Sequence, residues 1–300
     1  MARSDSPPRD GEPAELTVAG LLRRAHVLAP VSDTPQLDAQ LLLADALQCS
    51  RARLLAYPET PVTTDPAGRF LASLQRRQRG EPLAYILGRR AFWDFEVQVD
   101  PRVLIPRPET ERLVELALDC LADRSTRPLD LLDLGTGSGV IALALARHSS
   151  SWQVTASDCS ADSLALARDN AQRLGVDNIT FVVSDWLAEF SARQFDLIAS
   201  NPPYVAEGDP HLERDGLPWE PPQALVAGRD GMRCLQTIVD QARHCLRPGA
   251  WLIVEHGVHQ GRAVNDLMVA AGYVDVRCWQ DLGGLDRVTA GRLQRTTGQA

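Results

Sequence analysis

Apolar residues in the first part of the chain follow a helical pattern. They recur at three- and four-residue steps, the spacing of one face of an α-helix, at Leu37, Leu41, Ala44 and Leu47. Prolines interrupt this pattern at short intervals and divide it into four or five short helices. We therefore predict that residues 16–80 form a small helical domain in which this face is buried.

The pattern changes in the segment 81–105. Phe95, Val97 and Val99 alternate with polar residues, as the residues of a half-buried strand do. A helix is then expected after Pro108, a residue that the first turn of a helix accepts well. We interpret the segment as a hairpin-like connector between two domains.

Strands and helices alternate regularly from residue 106 to about residue 295. Apolar runs predict strands at 129–134, 152–157, 179–183, 195–200, 251–256, 273–279 and 286–293. Helical stretches separate the first strands, at 140–147 and 161–173, and a further helix is expected at 232–246. This alternation predicts an α/β domain with a doubly wound, mostly parallel sheet. Ligands bind such sheets beyond the carboxyl ends of the strands.

A glycine-rich loop follows the first of these strands. The sequence DLGTGSG, Asp133 to Gly139, lies between a predicted strand and a predicted helix, where glycines allow a tight turn and a close approach of a ligand to the backbone. Gly137, Gly139 and Ala142 also satisfy the G-x-G-x-x-G/A pattern of dinucleotide-binding proteins. The loop by itself predicts a nucleotide-containing cofactor and leaves NAD open.

Acidic residues end the second and third strands of this domain. Asp158 stands 19 residues after Gly139, where an acid binds ribose hydroxyl groups. Asp185 can accept a hydrogen bond from an adenine amine, and Trp186 can cover the face of a ring. These two residues favour S-adenosyl-L-methionine over NAD, although simple packing also explains a tryptophan at this place.

The fourth strand ends in the sequence NPPY, Asn201 to Tyr204. A carboxamide nitrogen or a nucleobase amine is a poor nucleophile, so an enzyme that methylates it has to hold both N–H groups in one plane. Asn201 offers its side-chain oxygen and Pro202 its carbonyl, and neither Pro202 nor Pro203 adds a competing backbone donor. Tyr204 can lie against the flat group. The motif predicts methylation of a planar nitrogen.

Composition narrows the functional classes. The net charge of -8 argues against a protein that binds bare nucleic acid, because such proteins need cationic surface. The six cysteines are scattered, which predicts neither a zinc site nor a disulfide framework. No apolar run is long enough to span a bilayer, and residues 1–15 lack the apolar core of a signal peptide. We expect a disordered lead-in at 1–15 and a cytoplasmic location.

Motifs spread over residues 16–295 resemble one known family. The glycine loop, Asp158, SDW and NPPY look like those of a seven-stranded, S-adenosylmethionine-dependent methyltransferase of class I. The stretches that resemble the bacterial release factor glutamine methyltransferases are GEPLAYILGRRAFW (80–93), LIPRPETE (104–111), EPPQALVAGRDGM (220–232), LIVEHG (252–257) and DRVTAGR (286–292).

This resemblance implies methylation of the glutamine side chain in the Gly-Gly-Gln motif of class I peptide chain release factors, with S-adenosyl-L-homocysteine as the second product. It also implies that the domain 16–80 binds the protein substrate. The cofactor contacts that it implies are Gly135, Thr136, Gly137, Ser138, Gly139, Asp158, Asp185, Trp186 and Asn201. The catalytic residues that it implies are Asn201, Pro202 and Tyr204, and Pro203 joins them in substrate binding. We expect a monomer that contacts neither nucleic acid nor a membrane.

Two other functions stay open on the sequence. A DNA or RNA amine methylase would use the same NPPY arrangement, and a cofactor-binding scaffold would need no catalysis. His256 is expected to be a structural residue at a strand end, since the chemistry needs no strong base. Arg107 and Glu109 either close the site or stabilise the start of a helix. In the segment 206–225, the acids Glu207, Asp209, Glu213 and Asp215 are expected to be solvated and to suit a basic protein surface.

Overall fold

The computed structural model describes residues 16–124, 127–190, 194–213 and 216–294. The chain divides into two compact units between Leu87 and Gly88. The predicted disordered lead-in, residues 1–15, lies outside the described residues. The predicted domain bounds stay a prediction.

The first unit is helical. Its α-helices are α1 (Val18–Leu22), α2 (Pro35–Ala46), α3 (Arg51–Ala56), α4 (Thr64–Gln78) and α5 (Leu83–Leu87), and a 3₁₀ helix spans Arg23–Leu28. Leu21, Leu28 and Phe70 are fully buried at the centre of this unit. Arg77 forms an ion pair of 2.8 Å with Asp38, whose side chain is almost fully buried. Glu81, also buried, pairs with Arg76 at 2.5 Å, so the unit has its own core and both of these buried acids have an arginine partner.

The buried face of α2 differs from the predicted one. Leu37, Leu41 and Leu47 are only half-buried, although Ala44 is buried. The side chains that face the core of this unit are Ala39, Leu42, Leu43 and Ala46. Because apolar residues occupy consecutive positions in this helix, two different faces fit a helical spacing, and packing selects between them.

The second unit begins with a hairpin. Strands β1 (Arg89–Phe92) and β2 (Phe95–Gln98) pair antiparallel, and Phe95, Val97 and Val99 are buried as the alternation predicted. The interpretation of all of 81–105 as hairpin-like is too broad, because its first part contains helix α5.

A seven-stranded sheet follows, with the order β5-β4-β3-β6-β7-β9-β8. Its strands are β3 (Asp130–Leu134), β4 (Gln153–Asp158), β5 (Ile179–Val183), β6 (Phe195–Ser200), β7 (Leu246–Glu255), β8 (Tyr273–Gln280) and β9 (Asp286–Leu293). The first five run parallel, and β9 pairs antiparallel with both β7 and β8. This is the predicted α/β fold of class I methyltransferases.

The helices of the second unit are α6 (Glu109–Leu121), α7 (Val140–His148), α8 (Ala161–Leu174), α9 (Arg233–Cys245) and α10 (Gly261–Ala270). Short 3₁₀ segments lie at Ala122–Arg124, Pro210–Glu213, Leu217–Trp219 and Pro222–Ala224. Local sequence explains the ends of α8, because Ser160 accepts a hydrogen bond of 3.1 Å from the amide of Ser163 and Gly175 ends the helix with a φ of 66°. Of the described helices, none combines the length and apolar character that a membrane span needs.

The core of this unit lies between the sheet and its helices. One cluster joins Leu132, Ile198 and Leu252 of three neighbouring strands to Leu235 and Val239 of α9. All five side chains are fully buried, so the register of the central strands is fixed by packing. In this register Ser200 of β6 pairs with Leu134 of β3 on one side and with Val254 of β7 on the other. The residues that follow these three strands therefore lie close together.

Candidate active site

A cavity of about 470 Å³ lies at the carboxyl ends of β3, β4, β5 and β6. The glycine loop lines one side of it, and Asn201 and Pro203 line another. Asp158, Asp185 and Trp186 complete the part that the sequence analysis predicted. The structure thus brings the ends of four parallel strands to one site, as the topology requires.

The glycine loop bends through left-handed backbone conformations. Gly137 has a φ of 53°, and a Cβ atom there would meet no other atom within 4 Å, so the loop leaves open space on the cavity side. Gly139 has a φ of 91°, but its Cβ would lie 3.2 Å from the Cβ of Ala167. It is not among the described lining residues, and it allows the start of α7 to approach α8 closely.

Asp133 holds the glycine loop in place through hydrogen bonds. Its Oδ2 atom accepts hydrogen bonds from the hydroxyl of Thr136 at 2.6 Å and from the amide of Ala142 at 3.1 Å. Its Oδ1 atom is buried and has no hydrogen-bond partner in the described part of the chain. Burial raises the pKa of Asp133 to about 7, and the carboxylate of Asp158 adds a smaller contribution in the same direction. The loop is therefore tied to the first turn of α7.

Asp158 holds the glycine loop and also lines the cavity. Its Oδ2 atom accepts from the amide of Gly137 at 3.0 Å, and its Oδ1 atom accepts from the amide of Ser160 at 2.9 Å. The same carboxylate lines the cavity, and burial raises its pKa. Each oxygen still has a lone pair for a further donor, so the side chain can bind a pair of hydroxyl groups while it holds the loop.

Asp185 and Trp186 lie beside the glycine loop. Both line the cavity, and a Cβ atom on Gly135 would lie 3.7 Å from the Trp186 ring. Trp186 has a positive φ of 50° and also packs against the core cluster of the sheet. Trp186 therefore both lines the cavity and packs against the core.

The residues of the NPPY motif lie in two different environments. Asn201 and Pro203 line the cavity, whereas Pro202 is buried and Tyr204 is not among the described lining residues. The hydroxyl of Tyr204 donates to Oε1 of Glu255 at 3.2 Å. The Nδ2 atom of Asn201 donates to the hydroxyl oxygen of Thr110 at 2.9 Å. The structure thus does not place the Tyr204 ring at the cavity, where the sequence analysis expected it to lie against a planar group.

The sequence did not predict the role of two residues that lie behind the NPPY motif, Thr110 and Glu255. Thr110 lines the cavity and donates its hydroxyl proton to Oε2 of Glu255 at 2.8 Å. Glu255 is 1% exposed, and burial raises its pKa to about 7. A glutamate directly after the apolar run LIV was the signal that could have revealed a buried acid.

A second pair ties two loops at the rim of the cavity. Glu220, 3% exposed, accepts from the amide of Ile105 at 3.0 Å and forms an ion pair of 2.5 Å with Arg107. Arg107 also lines the cavity. The contact ties Arg107 to Glu220, and a closing role for Arg107 stays a prediction, while Glu109 lies in the first turn of α6 as a helix-start residue does.

His256 is fully buried directly after β7. One ring nitrogen lies 2.9 Å from the carbonyl of Gly257 and the other 2.9 Å from the hydroxyl of Thr289. Burial lowers its pKa, so the ring is neutral and both nitrogens are engaged by the protein. These contacts are those of a structural histidine.

Comparisons with known proteins identify the family. The profile described as the PrmC N-terminal domain matches residues 21–88, and that of the methyltransferase small domain matches residues 113–214. The release factor glutamine methyltransferase of Salmonella typhimurium is 46% identical over 87% of this chain and 94% of that protein. The chain belongs to the release factor glutamine methyltransferases. The Escherichia coli K12 member of this family is 43% identical over 90% of this chain and 97% of that protein. The resemblance drawn from the sequence is confirmed.

Solved structures show the same methyltransferase fold. A Pyrococcus furiosus methyltransferase superposes with a TM-score of 0.50 over 68% of this chain and 91% of that chain, at 16% identity. A Thermus thermophilus 16S rRNA methyltransferase, solved with AdoMet and guanosine, gives a TM-score of 0.52 over 69% of this chain and 50% of that chain, at 19% identity. At these identities the likeness concerns the fold alone.

The residues of the cavity fit a nucleotide-containing methyl donor. The open space beside Gly137 leaves room for a ligand against the backbone, and Asp158 faces the same cavity with lone pairs to spare. Apolar side chains such as Val140 and Ile141 line it together with these polar groups. Among the described residues, no group of histidine, cysteine and acidic side chains is arranged to hold a metal ion.

Proposed function

We propose that this methyltransferase transfers a methyl group from S-adenosyl-L-methionine to the side-chain amide nitrogen of a glutamine in a release factor. The glutamine is that of the Gly-Gly-Gln motif of class I peptide chain release factors, and S-adenosyl-L-homocysteine is the second product. The observation that carries the proposal is Asn201 at the cavity, with its Nδ2 atom bound by Thr110, beside the loop of Gly135 to Gly139. Family membership supports the choice of substrate.

The cofactor would be held by residues on three strand ends. The backbone at Gly135 and Gly137 would contact its methionine part, and Asp158 would accept from its ribose hydroxyl groups. Asp185 and Trp186 would hold the adenine by one hydrogen bond and by one ring face. Bound in this way, the cofactor supplies an electrophilic methyl group on a positively charged sulfur.

The NPPY motif would orient the nucleophile. The lone pair of a carboxamide nitrogen is delocalised into its carbonyl group, so the nitrogen has to be aligned with the methyl carbon before it reacts. We assign this alignment to two acceptors, the side-chain oxygen of Asn201 and the carbonyl of Pro202, which take the two N–H groups of the substrate amide. Pro202 has no backbone N–H that would compete for them.

The proton leaves the nitrogen only as the new bond forms. The nitrogen becomes acidic at that point, so solvent water can take one of its two protons and a strong base is not required. Glu255 is fully buried behind Thr110 and is not among the described residues that line the cavity, so we assign it no direct proton transfer. In this scheme the chain contributes chiefly alignment, for which intramolecular models allow about 7–11 kcal/mol.

We propose that the helical domain predicted at residues 16–80 binds the protein substrate. The family profile that matches residues 21–88 supports a dedicated N-terminal domain. Glu207 and Glu213, in the segment after NPPY, are exposed and would face a basic surface of the release factor. Asp215, which the sequence analysis grouped with them, lies outside the described residues. We further propose that the enzyme acts as a monomer in the cytoplasm, on protein and not on nucleic acid.

Incubation of the purified enzyme with isotopically labelled S-adenosyl-L-methionine and a purified class I release factor tests this proposal. We expect the glutamine of the Gly-Gly-Gln motif to gain the mass of one CH₂ group, and a release factor with alanine at that position to stay unlabelled. Asn201→Ala should reduce turnover by about 10²–10³-fold, as the loss of one positioned group does.

A ribosomal RNA or DNA fragment serves as the control for the nucleic acid alternative. Label on the nucleic acid and none on the release factor would overturn the proposal. Label on another residue of the release factor would overturn the choice of glutamine. Cofactor binding by calorimetry without any transfer would favour a scaffold over an enzyme.

A further inference from the structure

A buried hydrogen-bond chain connects the cavity to the last residue of β7. It runs from Asn201 Nδ2 to the hydroxyl oxygen of Thr110 at 2.9 Å, and from that hydroxyl to Oε2 of Glu255 at 2.8 Å. Oε1 of Glu255 accepts from the hydroxyl of Tyr204 at 3.2 Å. Glu255 therefore holds both ends of the NPPY motif, one directly and one through Thr110.

The fold places the three parts of this chain from distant points in the sequence. Thr110 lies in the first turn of α6, Asn201 follows β6 and Glu255 ends β7. Strands β6 and β7 are neighbours, and their register pairs Ser200 with Val254, the residues that precede Asn201 and Glu255. Thr110 is 2% exposed and Glu255 is 1% exposed, so the hydrogen bond between these two residues is shielded from water.

The direction of the chain decides which way the Asn201 carboxamide faces. When Glu255 is ionised both of its oxygens accept, so the Thr110 hydroxyl gives its one proton to this carboxylate. The Thr110 oxygen can then only accept, so it selects the NH₂ group of Asn201 and leaves the Asn201 oxygen for the cavity. A carboxamide turned by 180° would set two acceptors against each other at Thr110.

We propose that Thr110 and Glu255 are positioning residues that fix the Asn201 oxygen as the acceptor for the substrate amide. The inference rests on the proposed function, because it assigns that oxygen a partner N–H group. Neither residue has to touch the transferred methyl group. Their effect is to keep one of the two amide orientations of Asn201 populated.

Two variants of Thr110 separate this role from simple packing. Thr110→Val keeps the branched shape and removes the hydroxyl, whereas Thr110→Ser keeps the hydroxyl and removes a buried methyl group. We expect Thr110→Val to lower kcat by about 10–10²-fold, less than the loss of Asn201 itself, with the cofactor Kd within about threefold of the wild type. Thr110→Ser should recover most of the turnover.

A packing role for Thr110 predicts the opposite order, with the valine variant active and the serine variant impaired. That order, or equal activity of both variants, would overturn the proposal. Thermal unfolding of each variant shows whether a loss of turnover comes from a loss of folded protein. If the wild type transfers no methyl group to the release factor, the proposed function fails first, whatever the two variants do.

A double-mutant cycle tests the part of Glu255. Glu255→Gln replaces a carboxylate, whose two oxygens both accept hydrogen bonds, by an amide that has one oxygen and one NH₂ group. If Glu255 acts through Thr110, this substitution should lower kcat by a smaller factor in Thr110→Val than in the wild type. If Glu255→Gln lowers kcat by the same factor in the wild type and in Thr110→Val, the two residues act independently, and the proposal that Glu255 acts through Thr110 is refuted.

Discussion

Gly231 offers a sharp test of how the NPPY motif is supported. Its φ is 73°, and a Cβ atom added there would lie 2.2 Å from the carbonyl oxygen of Tyr204 and 2.8 Å from Nε2 of Gln260. The Gln260 amide donates to that same carbonyl at 3.0 Å. A methyl group at Gly231 would therefore push directly on the backbone at the end of the motif.

The magnitude follows from these distances. A carbon and an oxygen in ordinary contact are about 3.3 Å apart, so the Tyr204 carbonyl would have to move by about 1 Å. The left-handed conformation costs an alanine about 1–2 kcal/mol, and overpacking adds about 1–3 kcal/mol. We therefore expect Gly231→Ala to lower the free energy of unfolding by about 2–5 kcal/mol and, through the displaced motif, to lower turnover by about 10²-fold.

Gly228→Ala is the matched control. Gly228 has a similar φ of 78°, but the nearest atom to its added Cβ would be the Cβ of Arg233 at 3.6 Å, an ordinary contact. It should show the conformational cost of about 1–2 kcal/mol and little loss of turnover. Urea unfolding gives the stabilities, and steady-state methylation of the release factor gives kcat. Equal stabilities and equal kcat values for the two variants would refute the reasoning.

Three further predictions concern the cofactor side and the rim of the cavity. Asp158→Ala should raise the cofactor Kd measured by calorimetry and change kcat little at saturation, because it removes the proposed ribose acceptor and the support of Gly137. Asp133 has a folded-state pKa of about 7, above its ordinary value of 3.8, so its contribution to stability is present below pH 4 and is lost as the pH rises to about 7. The free energy of unfolding of Asp133→Asn, measured in urea at several pH values, should therefore rise relative to that of the wild type by up to about 4 kcal/mol between about pH 4 and pH 7. The same pH dependence in both proteins would contradict the raised pKa of Asp133. Glu220→Gln should weaken the tie to Arg107 and raise the KM for the release factor more than it changes the cofactor Kd, and an unchanged KM would remove this contact from the closing of the site.

Much of the fold could be predicted because its signals are local. Strands such as Ile179–Val183 and Phe195–Ser200 have the predicted bounds, since each is a short apolar run between polar turns. The glycine loop, Asp158 and Asn201 follow such strands directly, so parallel topology was sufficient to bring them to one edge. Their roles in binding stay predictions.

The residues that support the site could not be predicted in this way. Thr110 and Glu255 are 145 positions apart, and Arg107 and Glu220 are 113 apart, so the sequence has no local pattern that joins them. The orientation of Tyr204 depends on the same buried acid. Helix α2 shows the local counterpart, because its consecutive apolar residues fit two faces and only the packing of neighbouring helices decides which one is buried.

The position of β9 has a consequence for how the enzyme is made. This strand is the last one described, yet it lies inside the sheet between β7 and β8 and pairs Val288 with Glu255. The amide of His256 also donates to the carbonyl of Arg287 at 2.9 Å. A nascent chain that has emerged from the ribosome only as far as β8 leaves β7 as an open edge, with the acid behind the motif unsupported. Catalytic competence should thus arrive abruptly, once β9 has been translated, and chains released before β9 is made should be prone to association through this edge.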